Sequence, residues 1–386
     1  MQLFNVLEGL KLPSYQANQY TFRSQLNVLF VNPEATGGNF YKMMLPYAVL
    51  RNTQIVSTAM TGWNKYNPVK RFRTEDKAPL HSIQIVWSDT IVLPFTNQPV
   101  HEFVEMAKTI NPNTIVIMHV DFDFIDLPKT HPLKDAFGVD KVDVIINNIK
   151  ACDKIIVSNA KLASHLIARL QEKGHEISRD KFGVQLLCAD EELMLDGVRL
   201  KPSKDDVFTL CVLAGDNQWN DIEACIPALL EVKKKHKNNL KIVFFGINKN
   251  KEGWGKLVKG LEYIPEGAVP IWKYYAKLAD INPHAVLVPS DCSEYTQRST
   301  DYKRFIDCAL LGLPIITPKT NPFDVLLKHN ETGYLYQNDS ELKTILDDLI
   351  ANPKQPQQVG GSAKVYVEDH LSYNRDKIQR LINLLG

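Results

Sequence analysis

One alternation constrains the fold of this 386-residue chain more than any other feature. Short, apolar, β-rich runs give way repeatedly to stretches with helical spacing. The segment "LNVLFVNPEATGGNFYKMMLPYAVLRN", from Leu26, passes from an apolar run through a Gly-Gly turn into such a stretch. Further apolar runs fall at Ser82 to Trp87, Thr90 to Leu93, Thr114 to His119 and Lys154 to Ser158, with helix-like stretches at Val100 to Thr109 and Ala160 to Glu172. Strands alternating with helices pair in parallel and are covered by those helices, so the expected class is α/β.

The alternation breaks at "DGVRLKPSKDD" (Asp196 to Asp206) and then restarts with "FTLCVLAG", "DIEACIPALLEVKKKH" and "LKIVFFG". A chain of this length also exceeds what one hydrophobic core usually serves. The expected organisation is an N-terminal unit over 1–195, a linker at 196–206 and a second α/β unit over 207–365. A helical segment at 366–386 is expected to pack back toward the first unit. Ligands of such sheets bind outside the carboxyl ends of the strands, which makes a cleft between two units the first place to expect chemistry.

The charges nearly cancel, with 45 basic against 44 acidic residues, which removes the footprint of a dedicated nucleic-acid binder. Six scattered cysteines form no C-x-x-C pair, which argues against a zinc site and a disulfide framework and points to a reducing compartment. "MQLFNVLEGLKLPSYQ" is too polar for a secretory signal, and no window reaches the roughly 18 apolar residues of a spanning helix. The expectation is a cytoplasmic protein, with any membrane association peripheral.

The stretch "DYKRFIDCALLGLPIITP" (Asp301 to Pro318) concentrates the chemistry. A helix through Phe305 to Leu311 would place unpaired backbone N–H groups near Ser299 to Arg304, where they favour a phosphate. Lys303 and Arg304 add charge-assisted donors to the same anion. Asp307, a turn further on, is an acceptor-only group suited to ribose hydroxyls. An ordinary helix with a basic cap is the plain alternative.

Together with the following "KTNPFDVLLKHNETGYLY", this stretch resembles the nucleotide-sugar-binding signature of retaining glycosyltransferases of the GT-B fold, the group 1 or family 4-like kind. Asp307 falls at the ribose-binding acid, Arg304 at a basic position, Gly312 and Pro314 on the Gly-x-Pro, and Asn330, Gly333 and Leu335 on the closing piece. The resemblance implies two Rossmann-like domains facing each other across a cleft. In the N-terminal half it implies that the backbone at Gly37 and Gly38 approaches the donor diphosphate and sugar. "IVIMHVDFDFIDLP" is similar to the strand end where relatives contact the transferred sugar or acceptor, which singles out His119 and Asp121. A metal-binding Asp-x-Asp among Asp121, Asp123 and Asp126 is the rival there; no metal site is expected.

After Gly215 the family carries an Arg and a Lys that clamp the leaving diphosphate, and this chain has neither. Arg298, Lys303 and Arg304 are expected to substitute, and Glu294 approximates the family's upstream acid. Tyr263, Trp272 and Tyr274 lie where an aromatic accompanies the base, although core packing is the commoner role at such spacing.

The resemblance thus implies transfer of a hexose from a nucleoside diphosphate sugar, UDP favoured over GDP, to an acceptor hydroxyl with retention. It implies no metal and no tightly bound cofactor. The acceptor is a glycan, a glycolipid or another hydroxyl-bearing molecule, with modified nucleic acid left open. An epimerase or hydrolase of the same fold, or an inactive sugar-nucleotide binder, are the alternatives. "GWNKYNPVKRFRTEDK" (Gly62 to Lys77) reads as a basic, aromatic acceptor loop or a solvated one.

Overall fold

The computed structural model describes residues 26–32, 36–53, 55–62, 80–129, 131, 133–201, 207–215 and 218–386. The N-terminal stretch, nearly all of the Gly62 to Lys77 loop and the Pro-containing end of the linker lie outside the described residues. The chain divides into two compact units. One holds the described residues through Leu127, then Lys134–Leu193 and Tyr373–Gly386; the other holds Pro128–Leu133 and Met194–Ser372.

The first unit is built on a six-stranded sheet in the order β2-β1-β3-β4-β5-β6, every neighbour parallel. Its strands are β1 (Leu26–Asn32), β2 (Val56–Gly62), β3 (Thr90–Leu93), β4 (Ile115–Val120), β5 (Lys154–Val157) and β6 (Phe182–Val184). Val28 to Val31 are fully buried, the mark of a strand covered on both faces. The core joins Val28, Phe30, Val92, Ile117 and Ile156 to Leu381 and Leu385 of the last helix, Arg375–Leu385. That helix is capped by Asn374, and its Leu385 carbonyl accepts the Thr90 hydroxyl at 2.7 Å.

Two local differences from the sequence reading have physical causes. The apolar run at Ser82 to Trp87 belongs to the helix Leu80–Trp87, with Gln84, Ile85 and Ser88 buried at helical spacing and Val86 exposed. Strand β2, "VSTAMTG", escaped notice because its small and polar residues make no apolar run; it sits at the sheet edge against β1.

The second unit repeats the plan in the order β12-β11-β10-β7-β8-β9, again all parallel. Here the strands are β7 (Phe208–Leu213), β8 (Leu240–Phe245), β9 (Ile264–Glu266), β10 (Ala285–Leu287), β11 (Ile315–Pro318) and β12 (Tyr334–Tyr336). Counted within the unit, this is the 3-2-1-4-5-6 order, whose direction of winding reverses between β7 and β10. In the first sheet the reversal falls between β1 and β3. Each sheet therefore has its own switch point, where loops leave the strands in opposite directions and open a crevice. Among the described residues no helix is long and apolar enough to cross a membrane.

Candidate functional site

In the second unit the switch point gathers the turn after β7 and the loop after β10. The Gly215 N–H donates to Gln218 Oε1 at 3.1 Å, and Gln218 Nε2 donates to Asp221 Oδ2 at 3.0 Å. Asp221 also accepts the Asp291 N–H at 2.9 Å from the loop beyond β10. Arg304 reaches in from its own helix and donates through Nη2 to the same Gln218 oxygen. Burial pushes the Asp221 carboxyl above its usual range, opposed by the Asp291 and Gln218 hydrogen bonds. Gln218 and Asp221 were not singled out from sequence. Their only signal was their place three residues apart at the start of the helix Trp219–His236.

The helix carrying Arg304 runs from Lys303 to Leu310 and ends as a Schellman turn. The Leu313 N–H bonds the Cys308 carbonyl and the Gly312 N–H the Ala309 carbonyl, with Gly312 at φ +72°, a conformation that favours glycine. Asp307 is buried on this helix, and its Oδ1 accepts the Tyr275 hydroxyl at 2.6 Å. Lys303 is held locally, with Nζ 2.8 Å from both oxygens of Asp301. Arg298 lies 3.5 Å from the exposed Glu294 one helical turn away. Of the three expected cations, then, Arg304 joins the Gly215 turn, while Lys303 and Arg298 pair with carboxylates near in sequence. Tyr274 stacks on Phe245, with ring centroids 5.5 Å apart, whereas Tyr263 packs against the core.

In the first unit the corresponding edge brings Gly38, His119 and Asp121 together. His119 is the penultimate residue of β4, and both its ring nitrogens are buried without a hydrogen-bond partner among the described residues. Burial lowers its pKa to about 4; Lys42 adds to the lowering and Asp121 opposes it. The Asp121 carboxylate accepts Lys42 Nζ at 2.5 Å through Oδ1. A Cβ placed on Gly38 would lie 3.5 Å from Asp121 Oδ2, while one on Gly37 would meet nothing. Lys42, missed in the sequence because it is one charge in an apolar helix-like stretch, completes this cluster.

The rival Asp-x-Asp reading meets a different geometry. Asp123, Asp126 and His165 are the described trio with metal-ligand spacing. Asp123 caps the backbone, accepting the Ile125 and Asp126 N–H groups, and His165 lies 2.9 to 3.0 Å from both acids. Arg169 occupies Asp126, with Nε 2.8 Å from Oδ2, and holds that carboxyl below its usual range against the opposing effect of burial. Asp121 stands apart from this trio with Lys42 as its partner.

Solved structures share the fold. HepE of Anabaena, determined with UDP-glucose, matches with a TM-score of 0.60 at 13 % identity, covering 94 % of this chain and 99 % of that one. A glycosyltransferase from Rickettsia africae matches at 0.57 and 12 %, over 93 % and 97 % of the two chains. Sucrose-phosphate synthase from Thermosynechococcus elongatus matches at 0.57 and 11 %, over 93 % and 98 %. No protein-family model and no curated protein matches the sequence. The class is thus defined by fold: α/β, with two Rossmann-like units of the GT-B kind, as the resemblance implied.

Proposed function

We propose that this chain transfers a hexose from a nucleoside diphosphate sugar to an acceptor hydroxyl with retention at the anomeric carbon. The observation that carries this reading is the link from Arg304 through Gln218 to the Gly215 turn. It supplies a cation beside a turn that has none of its own, at the switch point where phosphates of such folds are held. As the bond from the anomeric carbon to the diphosphate oxygen breaks, negative charge collects on the diphosphate, and a preorganised cation with helix amides stabilises it. The acceptor oxygen bonds the anomeric carbon, and its proton passes to the departing phosphate oxygen. Arg298 and Lys303 are assigned a supporting share of that field, tempered by Glu294 and Asp301. Asp307, held by Tyr275, is assigned the ribose.

The donor belongs to the second unit and the acceptor to the first, with the helical C-terminal segment completing the first. UDP is favoured because HepE was determined with UDP-glucose. Protein cations take the charge-neutralising role without a metal, and we assign the chain to the cytoplasm, with peripheral membrane contact as an accessory.

A thermal-shift screen with UDP, GDP, ADP and their sugars tests the donor, because a ligand of the native state raises the melting temperature with its affinity. Arg304→Ala should then lower turnover about 100-fold or more with the fold intact, and Asp307→Ala should lower it strongly. Near-normal turnover in both variants refutes the assignment, and consumption of donor without acceptor would favour epimerisation or hydrolysis.

A further inference from the structure

The outer edge of the second sheet carries a groove that the donor site does not use. It lies between β12 and the helix Asp339–Ala351, with a volume of about 530 Å³. β12 is the end strand of the sheet, and β11 separates it from β10 and the switch point. The volume is that of an ordinary ligand site. Its helical wall, Ser340 to Leu349, extends about 14 Å at 1.5 Å per residue, longer than one sugar ring.

An open strand edge ordinarily invites another strand. This one has its edge groups taken by its own chain. The Leu335 N–H donates to His329 Nδ1 at 3.0 Å, and the Gln337 N–H to Glu341 Oε2 at 2.8 Å. The Gly333 carbonyl accepts the Asn330 N–H at 2.8 Å. A peptide strand therefore finds no ladder to extend. Because Nδ1 of His329 accepts, the proton of its neutral ring sits on Nε2, which is a donor.

Tyr334 lines the same groove and packs in the core with Leu346 and Leu349. Only 1 % of the residue is exposed, yet its hydroxyl has no hydrogen-bond partner among the described residues. A buried tyrosine hydroxyl ordinarily has one. Burial pushes its pKa up to about 12, so the group stays neutral. Asp348 stands in the last turn of the helix, where the dipole disfavours an acid, and its carboxylate has no partner among the described residues. With Glu341 spent on the strand edge, the Lys319 ammonium and the Asp348 carboxylate balance. A phosphate would call for clustered cations, and a polyamine for clustered acids.

We propose that this groove binds a neutral oligosaccharide. The Tyr334 hydroxyl and His329 Nε2–H donate to sugar oxygens, and the Asp348 carboxylate accepts from a pair of hydroxyls. Sugar hydroxyls both donate and accept, so neighbouring donors and acceptors without net charge suit them. The inference rests on the glycosyl-transfer reading only for its use, which is to keep hold of an acceptor or product chain away from the donor.

Isothermal titration calorimetry of the full chain tests this. Maltotetraose, cellotetraose, chitotetraose and mannotetraose are titrated separately, with inorganic phosphate, spermidine and an alternating Val-Thr hexapeptide as comparisons. At least one tetrasaccharide should bind saturably. Tyr334→Phe and Asp348→Asn should each weaken that binding about 10-fold, the loss of one hydrogen bond or of its charge assistance. Affinity for UDP should be unchanged in both variants. Tyr334→Phe should not lower the melting temperature, because it keeps the ring and removes an unpartnered hydroxyl, which separates a binding role from a structural one. No tetrasaccharide binding, or binding undiminished in both variants, overturns the proposal. So does a phosphate, spermidine or peptide signal that the variants abolish. Tetrasaccharide binding that depends on Tyr334 in a chain that transfers no sugar would overturn the proposed function and leave this inference standing. Sugar transfer without such binding would do the reverse.

Discussion

Single residues here owe their state to burial more than to their neighbours in sequence. His119 is legible in the sequence as a polar residue at a strand end, but not as one kept neutral by desolvation. Its folded pKa of about 4 lies below the ordinary 6.5. Between those values the unfolded chain binds the extra proton, so stability rises with pH across the window and is lost as pH falls from 6.5 to 4. Fully developed, the loss amounts to about 3 kcal/mol. His119→Gln should reduce the difference in melting temperature between pH 7 and pH 4.5, measured by calorimetry; an unchanged difference would show that the ring is protonated in the fold. Lys42 was illegible for the converse reason. A lysine within "FYKMMLPYAVL" reads as a residue on the polar side of a helix, and only the π turn reveals that it points inward. Asp301 similarly takes up Lys303, so three cations close in sequence are not held as one cluster.

At the scale of elements, strands and helices with strong periodicity were readable, and short or polar ones were not. β7, β8 and β11 are apolar runs bounded by turn residues, and they fall where such runs predict. β6 and β9 have three residues each and leave almost no pattern. The helix Lys303–Leu310 and its Gly-x-Pro ending were readable because glycine supplies a left-handed residue that other side chains rarely adopt. What supports that ending was not. In the helix Gln355–His370, Gly360 faces it so closely that an added Cβ would lie 1.9 Å from the Gly312 carbonyl oxygen. Its neighbour Gly361 has nothing within 4 Å. Helix propensity alone favours alanine at both positions by about 0.5–1 kcal/mol. Gly360→Ala should instead destabilise by about 1–3 kcal/mol through overpacking against backbone, while Gly361→Ala stabilises. Denaturant unfolding of the two variants checks this, and equal effects would remove the claim of close approach. Gly360→Ala should also lower activity by shifting the helix that bears Arg304 and Asp307.

Over the whole molecule the chain order and the structural units do not coincide. The second unit ends at Ser372, and Tyr373–Gly386 belongs to the first unit, which the chain left at Leu193. Leu381 and Leu385 enter the core beside Val28, Phe30 and Val92, and Thr90 bonds the Leu385 carbonyl. Leu384 lies against Gly183 of β6, where an added Cβ would come within 2.5 Å of its methyl group. The sequence contains the amphipathic pattern of this helix, for which the first unit was the expected partner, but not the residues that receive it, because a helix face specifies apolar contact without naming the surface. Burial of the two leucines contributes about 3–6 kcal/mol to the first unit, and removing them takes nothing from the second. A chain truncated after Ser372 should therefore lose amide protection in β1, β3 and β5, while β7, β8 and β10 exchange as before. Hydrogen exchange resolved by peptide reads both sheets in one experiment. Equal loss in the two sheets would mean that they unfold as one cooperative body, and no loss in either would mean that the last helix does not hold the first sheet.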